Sequence, residues 1–336
     1  MIKLTIQDKN NSSWLILFLL FTSIIILFGS LAVGFYEISI NDILCFLFRG
    51  ETAVNDEVSN IIRNIRIPRI IAAYIIGAGL SISGAAYQGM FKNPLVSPDI
   101  LGVSTGAGLG AALAITLRLP YFMVQINAFV FGILVVSLAY FIGTRAKFGH
   151  EISLILAGTM LGSLASSLIT VLKYLADPND ILPAITFWLM GSLSKVNASS
   201  VSFSLVPIAV GSILIYSLRW RLNLLTLGDE EAEALGIDPK KIRLLAVTAA
   251  TVISSAAVCL GGLIGWVGLM IPHLSRGIVG ADYRRMLPTA ALMGGSFLLL
   301  MDNLARSLSI MEIPLGVLTA VMGAPFFIML IIKRER

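Results

Sequence analysis

Apolar residues run along this chain in blocks long enough to cross a bilayer, and short polar breaks separate them. About 20 consecutive apolar residues suffice for a membrane-crossing helix. By that measure spans fall at roughly 14–35, 68–90, 99–118, 121–143, 152–173, 200–218 and 242–264. A crowded Gly-rich stretch, 265–280, follows, and then two more spans at 284–305 and 314–332. The pattern predicts an all-α polytopic membrane protein, one transmembrane domain over residues 1–336. The count is nine or ten, depending on whether 267–277 is a helix of its own. Loop charges arbitrate. Arg145 and Lys147 follow span four, Arg219 and Arg221 follow span six, and Lys333, Arg334 and Arg336 follow the last. Lys and Arg collect in cytoplasmic loops, so even-numbered spans run inward. The short segment then counts, which gives ten transmembrane helices with both termini cytoplasmic.

Three polar or broken stretches stand out against this background. Residues 224–241, LLTLGDEEAEALGIDPKK, place Asp229, Glu230, Glu231 and Glu233 at helical spacing, with Leu227, Ala234 and Leu235 as an apolar counter-face. Gly228 and Gly236 punctuate the stretch and Pro239 ends it, so it reads as one or two short amphipathic helices outside the bilayer. Such a knob is a contact for another protein or a solvated connection. Residues 178–195 carry Pro178 and Pro183 ahead of Phe187 and Trp188, and are too broken to span. Irregular backbone at membrane depth requires protein cover or water, so a short re-entrant helix at an outer vestibule fits, as does an interfacial aromatic anchor. The third stretch, IIRNIRIPRI, puts Arg63, Arg66 and Arg69 at the outer mouth of span two, against the charge rule, with Pro68 near the first helical turn. Either the acidic loop before it (Glu51, Asp56, Glu57) makes the cluster tolerable, or the arginines dock an acidic partner through charge-assisted pairs.

The composition, 57% hydrophobic and 13% charged, excludes a soluble enzyme of ordinary make-up. The net charge of +5 is a signal of topology and no case for nucleic acid. Cys45 and Cys259 lie in or beside apolar runs without CxxC spacing, so neither a metal site nor a disulfide framework is expected. Gly102, Gly106 and Gly110 form a double GxxxG, Gly158 and Gly162 a second, and Gly77, Ser81 and Ala85 a softer one; such seams let helix backbones approach in lipid. A four-in-nine match between 94–102 and 272–280 hints at an inverted internal repeat.

Catalytic readings are thin. Gly102-Val-Ser104-Thr-Gly106 satisfies GxSxG, with His150 and His273 as conceivable bases for an intramembrane serine hydrolase. That motif has meaning on a strand–turn–helix elbow, whereas here it lies in a glycine seam. His150-Glu151 begins HExxH but reaches Leu154 at the fifth position, and no GxxxxGK[ST] occurs to hold ATP. Asp302 and Arg306, four apart near the outer end of span nine, offset each other's burial. Without a buried Asp/Glu/His chain, an external energy source is expected.

Four blocks carry a family resemblance: residues 65–110, 227–238 (LGDEEAEALGID), 262–288 and 312–334. The first, opening IRIPRIIAAYIIGAGLSISG, strongly resembles the signature of type II ABC importer permeases for iron–siderophore, haem, cobalamin and, in some members, molybdate. The resemblance covers residues 14–334. It implies ten helices per subunit in a homodimer with the pathway at the two-fold axis, and a partner set of two cytoplasmic ABC ATPase copies and a periplasmic or lipid-anchored binding protein. It implies that 224–241 forms coupling helices through Gly228, Glu231, Ala232, Leu235 and Gly236, and that Arg66, Arg69 and Arg306 dock the binding protein. The segment around Phe187–Gly191 resembles the short outer gating helix, with Met160, Phe187, Trp188, Met190 and Gly191 on the pathway or gate. No catalytic residue, metal or cofactor belongs to the chain; ATP and Mg sit on the ATPase. The expected membrane is a bacterial or archaeal cytoplasmic one. An iron chelate is the expected cargo, with cobalamin, haem or molybdate as alternatives and the Ser104 hydrolase as a remote one.

Overall fold

The computed structural model describes residues 9–146, 150–309 and 311–334, which are predominantly helical and contain no strand. The helices are α1 (Lys9–Gly29), α2 (Ile40–Arg49), α3 (Asp56–Asn60), α4 (Ile67–Met90), α5 (Val103–Thr116), α6 (Tyr121–Arg145), α7 (His150–Leu175) and α8 (Ile181–Met190). They continue as α9 (Ala198–Ser217), α10 (Arg219–Leu225), α11 (Asp229–Ala234), α12 (Pro239–Gly261), α13 (Val267–Val279), α14 (Tyr283–Ser307) and α15 (Leu315–Arg334). Six helical stretches are long and apolar enough to cross a membrane: Asp56–Met90, Tyr121–Arg145, Glu151–Leu175, Ala198–Ser217, Pro239–Gly261 and Tyr283–Ser307. Apolar helices α1, α5, α13 and α15 are the shorter four of the expected ten. The segment at 267–277 is therefore a helix in its own right.

Two sets of contacts mark the ends of the bundle. At one, the ends of α1 and α14 meet the start of α4: Arg306 donates to the Ser30 carbonyl at 2.8 Å and Arg66 to the Leu31 carbonyl. At the other, the end of α4 meets the starts of α12 and α14: Tyr283 donates to the Ala85 carbonyl at 3.0 Å, and Lys92 lies 3.5 Å from Asp229, just ahead of α12. We refer to these as the arginine end and the α11 end. Lys147 and Arg336 lie outside the described residues.

Helix α4 and helix α12 form the middle of the bundle, and most of their residues are buried. Small residues make this possible. A Cβ on Gly84 would run into the Gly268 carbonyl of α13, and one on Gly77 into the Gly294 carbonyl of α14. The GxxxG seam behaves likewise: Gly106 and Gly110 of α5 lie on the Phe131 and Asn127 carbonyls of α6. Since lipid removes apolar burial as the driving force, such close backbone packing carries the association. Hydroxyl pairs add to it, with Ser83 Oγ 2.8 Å from Ser254 Oγ and Tyr87 Oη 3.2 Å from Thr251 Oγ1.

Two local expectations are corrected. Span two starts well before residue 68: α3, a π turn at Ile61–Arg66 and α4 run on without a break, with Pro68 in the first turn of α4 as expected. A proline inside a helix removes one bond to the preceding turn, and the wide π turn just before it takes up that mismatch. The suspected repeat also fails locally, because 94–102 is a turn with a 3-10 segment (Pro98–Leu101) while Pro272 lies inside α13. In the loop after α1, the short helix α2 forms, capped by Ser39, which accepts from the Asp42 amide at 3.1 Å.

Candidate functional site

Functional side chains gather at both ends of the bundle. At the arginine end, Arg66, Arg69 and Arg306 all lie in the protein, each less than a tenth exposed. Arg69 holds the cluster. Its Nε donates to both oxygens of Asp302 at 3.0 and 3.1 Å, and its two terminal nitrogens meet Glu312 at 2.6 and 3.0 Å. Asp302 is fully buried, and Arg306 lies 3.5 Å from it one turn on. The Asp302–Arg306 pair read from helical spacing thus exists, but Arg69 is the stronger partner of that carboxylate. Arg66 bonds the backbone carbonyls of Leu31 and Tyr36, so it ties α4 to the segment after α1. Arg63 is apart from all three, on the surface, paired with Glu51 at 2.7 Å.

Beside this cluster is a cavity of about 450 Å³. Phe187, Trp188 and Gly191, expected from the resemblance to belong to a gate, line it, together with Tyr121, Lys195 and Glu312. Helix α8 ends there because Gly191 adopts φ +75°, and a Cβ at that position would lie 2.6 Å from the Leu263 carbonyl. Its carbonyl accepts from the Leu315 amide at 3.0 Å, so the end of α8 is pinned to the start of α15. Met190 is partly exposed at the same helix end, whereas Met160 stands mid-way along α7, two thirds exposed and away from the cavity. Around Met160, α7 presents hydroxyls of Thr159, Ser163, Ser167 and Thr170, each bonded back to its own helix.

At the α11 end, the segment 224–241 forms the end of α10, then α11 and the start of α12. Ala232 and Ile237 face the bundle, while Leu227, Ala234 and Leu235 are exposed. The apolar counter-face read from the sequence thus points away from the protein. Glu231 folds back toward Gly228, whose backbone leaves no room for a Cβ there. Gly236 takes φ +79° in open space, closing α11 as a left-handed glycine does.

A charged quartet underlies this segment, and sequence reasoning missed it. Arg243 of α12, one twentieth exposed, forks onto Asp229 at 2.6 and 2.7 Å and reaches Glu151 of α7 at 2.8 Å. Lys92 lies 3.5 Å from Asp229 and 4.0 Å from Glu151. The hydrogen bonds from Arg243 hold the Asp229 carboxyl below its ordinary range. The signal available was only that Arg243 and Glu151 each stand at the mouth of an apolar span.

The sequence of the FecCD transport family matches residues 19–333. The chain belongs to that family. Within reach of it, the molybdate import system permease protein MolB of Haemophilus influenzae is 40% identical over 96% of this chain and 95% of its own length. The hemin transport system permease protein HmuU of Yersinia pestis is 36% identical over 95% of both. A solved metal-chelate type ABC transporter in an inward-facing conformation superposes with a TM-score of 0.87 at 38% identity, covering 96% of this chain and 99% of that one.

A FecCD chain is the multi-pass permease of an ABC importer and works with an ATPase and a substrate-binding protein; it is not itself an enzyme. The hydrolase reading ends here. Ser104 lies in the first turn of α5 and donates to Asp99, while His273 packs edge-on to Phe326 and at a tilt to Phe327 of α15. The side chain of His150 lies outside the described residues.

Proposed function

We propose that this FecCD permease imports an iron chelate across a cytoplasmic membrane as a homodimer bound to two ATPase subunits and one binding protein. The observation that carries the reading is the division of labour between the two ends of the bundle. The exposed knob of α11 sits at one end; the cavity under α8 and the arginine cluster sit at the other. The knob, with Gly228, Glu231, Ala232, Leu235 and Gly236, is the ATPase contact. Its exposed Leu227 and Leu235 suit an apolar groove, and Ala232 anchors it in the bundle. The knob is then cytoplasmic, as are both termini, and the arginine end faces outward.

Arg66, Arg69 and Arg306 form the ground beneath the binding protein. Since Arg69 is already gripped by Glu312, an acidic residue of the binding protein reaches it only when Glu312, one third exposed, gives way. Phe187, Trp188, Met190 and Gly191 gate the outer cavity, and Met160 faces the pathway along α7. The chain binds no cofactor; ATP and Mg are held by the ATPase. ATP binding moves the knobs, and the permease exchanges inward- and outward-facing forms by differential affinity of its partners for the two.

The likeness to MolB supports a second cargo, molybdate, for which a hydroxyl-lined α7 without charged residues on its exposed middle is equally suited. Uptake of radiolabelled ferric siderophore and of radiolabelled molybdate, with and without the chain, decides between them. Loss of iron-chelate uptake alone supports the first cargo, loss of molybdate uptake alone the second, and loss of neither overturns both.

A further inference from the structure

Helix α11 is only six residues long, and it packs on α10 and α12. Its first residue, Asp229, is also its charged tie to the bundle, through Arg243. The same guanidinium nitrogen that meets Asp229 at 2.7 Å meets Glu151, the second residue of α7, at 2.8 Å. One buried side chain therefore grips the knob and the hydroxyl-bearing helix together. Arginine suits this place because its planar fork serves two carboxylates at once, which an ammonium does less well. Lys92 completes the quartet. It occupies a left-handed backbone conformation, φ +47°, ordinarily left to glycine, and from there its amine faces both acids. Two acids and two bases balance, and Asp229 and Glu151 together compensate the buried guanidinium.

We propose that Arg243 is a positioning residue for transport: it carries displacement of α11 to the start of α7, so that movement of the knob shifts the helix that bears Met160. The inference rests on the reading of α11 as the ATPase contact. A knob displaced by more than a hydrogen-bond length either draws Arg243 and Glu151 with it or breaks the two-pronged Arg243–Asp229 pair, leaving the buried guanidinium only its bond to Glu151. Because a buried charge short of partners is costly, the quartet moves as a unit. Apolar packing of Ala232 alone would let α11 slide without moving α7.

The test uses the whole transporter in proteoliposomes, with uptake per ATP hydrolysed as the readout. Arg243→Gln and Glu151→Gln are expected to lower that ratio about tenfold, a typical coupling magnitude, with Arg243→Lys intermediate. The double variant is expected to be no worse than Arg243→Gln alone, since both remove one link. Glu151 is one third exposed and its loss leaves the Arg243–Asp229 fork intact, so Glu151→Gln serves even where Arg243→Gln fails to fold. Wild-type ratios in Glu151→Gln, or losses that multiply in the double variant, overturn the proposal. A cysteine replacing exposed Glu230 separates the two levels. Failure to cross-link to the ATPase overturns the reading of α11 itself, whereas cross-linking with normal ratios overturns only the link through Arg243.

Discussion

Arg69 and Glu312 face each other in a two-pronged pair, 2.6 and 3.0 Å, although 243 positions separate them in the chain. The pair joins the start of α4 to the segment that leads into α15. Three residues beyond Glu312, the Leu315 amide bonds the carbonyl of Gly191, where α8 ends. A short path of covalent and hydrogen bonds thus runs from the arginine cluster to the end of α8.

Removing Arg69 leaves fully buried Asp302 with Arg306, 3.5 Å away, as its remaining cation. Arg69→Ala is expected to destabilise the permease by about 3 kcal/mol, the lower end of the cost of breaking a buried pair. The thermal midpoint of the purified protein in detergent is the measurement, and a shift near zero contradicts the pairing.

Glu312→Gln weakens the hold on Arg69 without removing the side chain. Binding-protein affinity is expected to rise several-fold, because an incoming carboxylate no longer competes with a resident one. A titration against immobilised permease reads this directly; unchanged affinity removes Glu312 as the group that shields Arg69.

Two glycine substitutions contrast sharply. Gly84→Ala drives a methyl into the Gly268 carbonyl, and such overpacking costs typically about 1–3 kcal/mol or more. Gly236→Ala meets empty space and pays only its left-handed backbone, roughly 1–2 kcal/mol, confined to the end of α11. The yield of folded protein in membranes should fall for the first variant and hold for the second.

Leu235→Asp changes a side chain more than half exposed, so the fold is expected to stand. Capture of the ATPase is expected to weaken several-fold. Equal capture by wild type and variant refutes the apolar knob as the contact.

Asp229 has a depressed carboxyl pKa, because its charged form is hydrogen-bonded to Arg243. Its contribution is present above the unfolded value, about pH 4, and is lost as pH falls through the folded value. Amide protection in α11, the slowing of exchange relative to its intrinsic rate at each pH, is therefore expected to be flat from neutrality down to about pH 4 and to fall below it. Asp229→Asn should remove that acid transition.

The ten-span plan, the short broken helix at α8 and the polar knob were all legible in the order of residues. Lipid leaves a long apolar run one solution, a helix with every backbone group bonded internally, so periodicity and length decide it. The glycine seams were legible for the same reason, since close backbone approach demands them wherever helices pack in lipid. The charged sites were not. Arg69 at the mouth of a span looks the same in sequence whether it faces water or is buried against Asp302 and Glu312. Arg243 gives no local sign that Asp229 and Glu151 will converge on it from 14 and 92 positions away. Ion pairing depends on which helix ends the packing brings together, and that is settled by the small residues of α4, α12, α13 and α14 in three dimensions.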